Sequence, residues 1–523
     1  MNPLKKRQFV VPLRSKKLAD LLRGMPDLIR ADEEGSLGIN GIAYDSRKVE
    51  PGFLFAAVPG FKADGHDFIG QARRAGAAAI LTERWLENAG VPQVQVRSVR
   101  KAMAFAACQF YDNPSRRLSL IGVTGTNGKT TTTYLIDSIL RKNGTTSGLI
   151  GGIEYRIGDR SLGAKRTTPE AADLQGMLSD MADAGVSAAT IEVSSHGIDL
   201  YRVACLDFIV AVFTNLTRDH LDLHGGMEQY YQSKRSLFTG TLDDPGNPSA
   251  APQGTQPRAA VNIDDGYGRR LAGELSASPA QAPGGKETPP ITFGLDPRAR
   301  VRAGNIEYAG WETRFDLLTP SGEAPVSLHL PGAYNLENSL AAAAAASALE
   351  IPVEVIASGL TSSRGAPGRF EPVGIDAPFQ VVVDYAHNED GLIKALTTAR
   401  SLTPGRVIVV FGSPGERDRD KRPGMGKVAG SMSDLAILTT DDCYAEPPDQ
   451  ILDETEAGLL ESDAEFQRIA DRRQAIETAI ESARPGDTIL IAGKGHETRQ
   501  IMAGGPLPFN DRDVVLEIVA AKP

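Results

Sequence analysis

A chain of 523 residues is too long for one hydrophobic core, and about three domains of ordinary size are expected. Hydrophobic content of 41% and charged content of 23% are those of a soluble globular protein, and a net charge of −10 argues against a nucleic-acid partner. Any acidic substrate must therefore be held by local positive sites, not by the global field. Cys108, Cys205 and Cys443 are scattered, with no CxxC pair, which excludes a disulfide framework or a zinc site and fits a reducing, cytoplasmic location. The basic opening MNPLKKRQFVVPLRSKK has too short an apolar stretch for a signal peptide. No run approaches the ~20 apolar residues that span a bilayer, so no membrane association is expected.

Along the chain, the first 115 residues hold short strand-like runs at 41–44, 53–58 and 77–82, separated by turn residues. From 116 to 348, nearly continuous apolar strands at 118–123, 188–193 and 208–213 alternate with helices. That pattern predicts a parallel sheet covered on both faces. The stretch DDPGNPSAAPQGTQP at 243–257 reads as a surface loop or disordered insertion, as does the patch at 276–290. An Ala-rich helix is predicted over 340–349. From 349 to 523 the alternation resumes, with strands at 380–383, 407–411, 435–439 and 488–492, which predicts a second doubly wound unit. The fold class is thus α/β in three domains.

The most informative segment is GVTGTNGKTT at 122–131, directly after the apolar run at 118–121. A strand, a Gly-rich turn and a helix start point backbone N–H groups and the positive helix end at a phosphate. Gly125, Thr126, Asn127, Gly128, Lys129, Thr130 and Thr131 would cradle ATP or GTP, with Lys129 on the terminal phosphates and the Thr130 hydroxyl on Mg²⁺. The loop is a variant, because the glycine expected five positions before Gly128-Lys129 is Val123.

Polar groups gather after the other strands, where open α/β sheets bind ligands. Glu192, Ser194, Ser195 and His196 follow the second central strand; Thr214, Asn215, Asp219, His220, Asp222 and His224 follow the third. Asp384, Tyr385 and His387, and then Gly493, Lys494, Gly495, His496 and Glu497, close two C-terminal strands. Five of the seven histidines lie in such segments; His66 lies in the N-terminal region, and His329 sits in a plain strand. Several histidines beside Glu and Asp point to a metal–phosphate site. Glu192 nearly closes an apolar strand, and a buried charge needs a cation partner, so Glu192 and Thr130 together could hold Mg²⁺. Lys234, in YYQSKRSLF, reads on composition alone as an ordinary solvated helix lysine.

GVTGTNGKTT, EVSSHG (192–197), FTNLTRDHLDLHG (213–225), SKRSLF (233–238), GAYNLENSLAA (332–342), PGRFE (367–371), DYAH (384–387), GERDRDKRPGMG (415–426) and AGKGHE (492–497) together resemble the Mur ligase family, over nearly the whole chain and in order. Within it they are similar to the type that adds the third residue to UDP-N-acetylmuramoyl-L-alanyl-D-glutamate in peptidoglycan synthesis. YDSRKVEPGFLFAAVPGFKADG (44–65) resembles that family's UDP-binding segment.

The resemblance implies a small N-terminal UDP-binding domain (1–115), a central P-loop ATP-binding domain (116–348) and a C-terminal Rossmann-like amino-acid-binding domain (349–523). It implies an ADP-forming amide ligase, cytoplasmic and monomeric. Ser46 and Arg47 would lie at the uridine nucleotide; Thr167, Thr168, Ser194 and Arg202 would hold the muramoyl dipeptide. Thr130 and Glu192 would ligate one Mg²⁺. His220 and Lys234 would serve the second, with Lys234 carrying CO₂ as a carbamate; Lys129, Lys234 and His220 form the catalytic set. Asn215, Asn335, Asn338, Arg369 and Asp384 would contact ATP, and Arg417, Gly493 and Glu497 the incoming amino acid.

One departure matters. Asp442-Cys443-Tyr444-Ala445 stands where members that add meso-diaminopimelate show Asp-Asn-Pro-Arg, so the arginine that grips the distal carboxylate is replaced by Ala445. L-Lysine or ornithine is therefore expected over meso-diaminopimelate. DYAHNEDG also differs from the commoner DYAHTPD. The rival readings are a folylpolyglutamate-synthetase-like ligase, which would not need the 44–65 segment, and a P-loop GTPase or motor ATPase, which would want the longer loop spacing and an NKxD segment.

Overall fold

The computed structural model describes residues 14–32, 36–60, 63–158, 160–219, 224–239, 257–278, 280–281 and 287–521. His220, Asp222 and nearly all of the 243–257 stretch lie outside the described residues.

Three α/β layers follow one another. The first sheet has five strands in the order Leu28–Ala31, Gln93–Val96, Ala79–Thr82, Phe53–Ala56, Gly41–Ala43, parallel except for Leu28–Ala31 at its edge. The second has eight, in the order Arg160–Gly163, Glu154–Ile157, Ser147–Ile150, Ala188–Glu192, Ser119–Thr124, Phe208–Phe213, Arg258–Asn262, Ile291–Phe293. Its last six strands are parallel. Ser119–Thr124 runs at its centre, where both faces are covered, which is why its residues are apolar without alternation. The third sheet runs Glu371–Pro372, Gln380–Asp384, Thr488–Ala492, Val407–Phe411, Leu435–Leu438, Glu465–Arg468, parallel after its short antiparallel edge.

Two features depart from expectation. A three-stranded antiparallel sheet, Arg302–Ala309, Glu312–Thr319 and Gly322–Leu328, was not anticipated; its inward residues Phe315, Leu317 and Val326 join the central core. The helix Val353–Ser362 packs Val353, Ile356, Ala357 and Leu360 into that same core against the helix Lys129–Lys142. The core thus crosses the expected 348/349 boundary, and we propose that the second domain ends after Ser362. Pro352 ahead of the helix interrupts the chain without moving it to another core, and an interruption of this kind reads in sequence like a linker.

Candidate functional site

The P-loop begins where the central strand ends. Gly125 has φ +150 and Gly128 φ +84, both rarely adopted by residues with a Cβ. A Cβ at Gly125 would meet Thr214 Oγ1 at 1.9 Å, and one at Gly128 would meet Asn338 Oδ1 at 2.2 Å. Asn215 buttresses the turn: its carbonyl accepts from Thr126 N (2.9 Å), its Oδ1 from Asn127 N (2.9 Å), and its Nδ2 donates to Asn127 O (3.2 Å). Lys129 donates to Gly125 O (3.0 Å) and Thr126 O (2.8 Å), so its ammonium is folded against the loop. Thr131 is buried beside it. Asn335 and Asn338 approach on the helix Ala333–Ala348, with Asn338 Nδ2 donating to Asn335 Oδ1 at 3.3 Å.

Glu192 ends the neighbouring strand and is 1% exposed. Its Oε2 accepts from the Thr130 hydroxyl (3.0 Å) and its Oε1 from Gly152 N–H (3.1 Å). Burial pushes its carboxyl above the ordinary carboxylate range, opposed by Arg369 and Lys129. Burial likewise pulls the Lys129 ammonium down, opposed by Glu192 and Asp219. A buried carboxylate beside a buried lysine, each pushed towards its neutral form by burial, is an environment that an incoming cation at Glu192 and an anion at Lys129 would relieve. The donors are hard oxygens, and Mg²⁺ is ordinarily held by one or two carboxylates with substrate phosphates completing its shell. Among the described residues no group of three or more His, Cys, Asp or Glu is placed to hold a metal ion.

Lys234 is not solvated, contrary to the composition-based reading. It lies on the inner face of the helix Met227–Thr239, 1% exposed, donating to Gly125 O (2.9 Å) and Thr124 Oγ1 (3.5 Å), 4.6 Å above the Tyr230 ring. Burial, then the Lys129 charge, holds its amine well below the ordinary lysine range. Only a neutral amine adds to CO₂, so this environment fits a carbamate. His220, its expected companion, lies outside the described residues.

Next to Glu192 lies a polar network within the central unit. Thr168 Oγ1 donates to Glu192 O (2.8 Å) and lies 3.0 Å from Ser194 Oγ; Arg202 Nη1 donates to Thr168 O (3.2 Å) and Nη2 pairs with Glu170 (2.8 Å). Thr167 adjoins it, half-buried. Ser46 is buried and bonded to Gln71, whereas Arg47 is exposed and paired with Asp45. Both belong to the first sheet's rim and contact none of the phosphate-loop residues described above.

The third sheet closes over the loop. Arg369 Nη2 donates to Thr130 Oγ1 (3.1 Å) while its guanidinium stacks on Tyr385. Asp384 faces inward: its oxygens accept from Phe370 N (2.6 Å) and Ala386 N (2.7 Å), which shapes the turn that carries Arg369. Asn127 Nδ2 donates to Asp390 Oδ2 (2.6 Å), a link from the P-loop to the C-terminal sheet. Sequence reasoning missed Asp390, which carried no signal of its own in the chain. Lys494, also unassigned, is fully buried among Asp442 (2.8 Å), Glu497 (2.7 Å) and Asp441 (3.8 Å). Burial lowers it, but the three carboxylates outweigh burial and hold it above its ordinary value. Gly493, φ +113, lies against Asp441 where a Cβ would collide at 2.5 Å. Arg417 is exposed, with its guanidinium 5.7 Å from the Tyr444 ring.

A parallel-sheet nucleotide site clasped by a second α/β sheet that carries an arginine and a carboxylate pocket is the arrangement of an ATP-dependent ligase. Family models match in three places: "Mur ligase family, catalytic domain" at 38–111, "Mur ligase middle domain" at 123–346 and "Mur ligase, glutamate ligase domain" at 368–495. The chain is 43% identical over 505 residues to the UDP-N-acetylmuramoyl-L-alanyl-D-glutamate–2,6-diaminopimelate ligase of Alkaliphilus metalliredigens, covering 96% of this chain and 97% of that one. It is 44% identical over 491 residues to the ligase of the same name from Solibacter usitatus, covering 94% and 95%. A solved structure of a ligase so named is 30% identical with TM-score 0.63, covering 96% and 99% of the two chains. The chain therefore belongs to the Mur ligase family, and it is an ATP-dependent ligase. Among the described residues no helix is long and apolar enough to cross a membrane.

Proposed function

We propose that the chain joins a diamino acid to UDP-N-acetylmuramoyl-L-alanyl-D-glutamate, with ATP cleaved to ADP. The observation that carries this reading is the Arg369–Thr130–Glu192 chain, which joins the C-terminal sheet to the phosphate loop. A carboxylate is a poor acyl donor, and phosphorylation by ATP turns it into an acyl phosphate that an amine can attack. Two anions must meet, so Lys129 and Arg369 screen them and stabilise the spread charge of phosphoryl transfer. Thr130 and Glu192 would hold one Mg²⁺, and His220 with Lys234 as a carbamate a second; these groups supply further charge neutralisation when bound. Thr168, Ser194 and Arg202 orient the dipeptide beside Glu192. Asn215 and Gly125 to Thr131 hold the phosphates; Asn335, Asn338 and Asp384 complete the nucleotide site. Ser46 and Arg47 serve the uridine end. Arg417, Gly493 and Glu497 receive the amino acid, and closure of the C-terminal sheet excludes water from the acyl phosphate.

For the third residue we favour L-lysine or L-ornithine. Ala445 presents no cation, its N–H donates to Glu416 Oε1 (3.2 Å), and Glu446 beside it is gripped by the buried Arg422 (2.8 Å). A distal carboxylate entering here would meet Glu416, with no cation offered by Ala445. A second reading, meso-diaminopimelate, is favoured by the relatives' names, with Arg417 as the available cation. Phosphate release with the muramoyl dipeptide and each amino acid in parallel decides between them. Higher kcat/KM for meso-diaminopimelate than for lysine and ornithine sinks the first reading, and Lys129→Ala must abolish turnover with any of them.

A further inference from the structure

His496 lies between the pocket of Glu497 and the carboxylate of Glu192. Its Nε2 is 3.3 Å from Gly152 O. A carbonyl only accepts, so Nε2 carries the ring proton, and Nδ1 is left buried without a hydrogen-bond partner. The same Gly152 donates its N–H to Glu192 Oε1 at 3.1 Å. One glycine residue therefore separates an imidazole on the C-terminal sheet from a carboxylate on the central one. The backbone around His496 is fixed from both sides: a Cβ at Gly368, beside Arg369, would strike His496 N at 2.1 Å, and one at Gly495 (φ +54) would strike Gly368 O at 2.6 Å. The Tyr385 ring packs on the imidazole with centroids 5.4 Å apart. The other oxygen of Glu192 is reached through Thr130 and Arg369. Both oxygens of Glu192 are thus tied, each at one remove, to the sheet that carries Glu497.

We propose that His496 is a positioning residue that couples the amino-acid pocket to Glu192. Held by the same short turn as Glu497, the imidazole sets the Gly152 peptide, and that peptide orients the carboxylate expected to hold Mg²⁺. The coupling rests on the roles proposed above for Glu192 and Glu497. Its consequence is that the C-terminal sheet must be closed before the cation site has its final shape, which delays phosphoryl transfer until the pocket is in place.

The test compares His496→Ala, His496→Leu and His496→Gln in the full chain. Gln keeps an N–H donor at the position of Nε2, while Leu keeps bulk without a donor. Calorimetric titration with a non-hydrolysable ATP analogue at graded Mg²⁺ should show Mg²⁺ half-saturation raised about three- to tenfold in Ala and Leu, the range for one lost hydrogen bond. Gln should return it to within twofold of the native value. In turnover, kcat should fall in Ala and Leu while KM for the amino acid stays within twofold. Unchanged Mg²⁺ half-saturation in folded Leu, or a Gln variant as impaired as Leu, overturns the proposal. The titration needs neither dipeptide nor amino acid. A native chain that binds Mg²⁺ and nucleotide normally but ligates nothing would instead condemn the functional reading.

Discussion

At the scale of single residues, the site is made of charges held away from their ordinary equilibria. Among the described residues Lys234 has no carboxylate in hydrogen-bond contact and donates to the Gly125 carbonyl and the Thr124 hydroxyl. As a carbamate it becomes an acidic ligand, and its neighbours Gly125 O and Thr124 Oγ1 would then have to yield. We expect Lys234→Ala to be nearly inactive and to recover in part with added short carboxylates, which fill the vacated space. Intact-mass and crystallographic data showing an unmodified lysine in active enzyme would end this assignment. Ala445 makes the opposite test, a gain. Ala445→Arg should move the kcat/KM ratio of meso-diaminopimelate to lysine upward by roughly 10- to 100-fold, from the ~1.5–3 kcal/mol of a charged hydrogen bond. A ratio that does not move places specificity elsewhere in the pocket.

At the scale of elements, the P-loop is a turn with no room. Gly128 caps the helix Lys129–Lys142 from the left-handed region and abuts Asn338 on the helix Ala333–Ala348. Gly128→Ala should cost about 1–2 kcal/mol from backbone strain alone. Displacement of Asn338 should weaken nucleotide affinity further, so calorimetric affinity should fall by more than the change in melting predicts. Native affinity in that variant would mean that the loop rearranges freely. The helix Val353–Ser362 makes a complementary point: it follows a Pro and precedes a new run of strands, yet its apolar face lies on the older core. Nothing local separates a helix that ends one domain from a helix that begins the next, because the same amphipathic stripe serves either.

At the scale of the whole molecule, two histidines of the C-terminal unit sit in surroundings that disfavour their charge. His387 is pulled down to about 4, chiefly by burial and then by Lys421, and His496 to about 4 by burial and then by Arg369. In an unfolded chain histidine titrates near ~6.5. Below that pH the unfolded state takes up protons that the folded state refuses until about pH 4, so each buried imidazole removes stability as pH falls between these values, and removes no more below them. The raised carboxyls of Glu192, Asp384 and Glu497 act in the opposite sense, so the difference between variants is the useful measure. Replacing His387 by Gln should make the loss of melting temperature between pH 7 and pH 5 smaller than in the native chain. An equal loss in both would mean that His387 is not buried neutral in solution.

Much of this was legible in the sequence because it is local. A strand entering GTNGKTT fixes the phosphate loop, since strand, glycines with positive φ and helix start are consecutive in the chain. Continuous apolar runs announced two parallel sheets for the same reason. The motifs also marked Glu192, Arg369 and Glu497, although composition alone left Lys234 as a surface lysine. Its burial depends on which face of the helix Met227–Thr239 meets the loop, and that is decided by packing of Tyr230, Tyr231 and Phe238 on the sheet. Asp390 had no signal, and Lys494, though it sits in AGKGHE, gave no hint of its role, because these roles exist only across 263 residues in one case and within a nest of three carboxylates in the other. The antiparallel sheet over 302–328 was missed although its second and third strands alternate, with Phe315 and Leu317 and then Ala324, Val326 and Leu328 inward; these runs are short and broken by polar residues, unlike the continuous apolar strands of the parallel sheets. What the chain determines by itself is therefore each segment's conformation and the chemistry it can present, since backbone dihedrals and side-chain types act over a few residues. Which segments face one another, and so which charges are buried together, was decided only by tertiary packing, because burial shifts a charge's energy through neighbours that are remote in sequence.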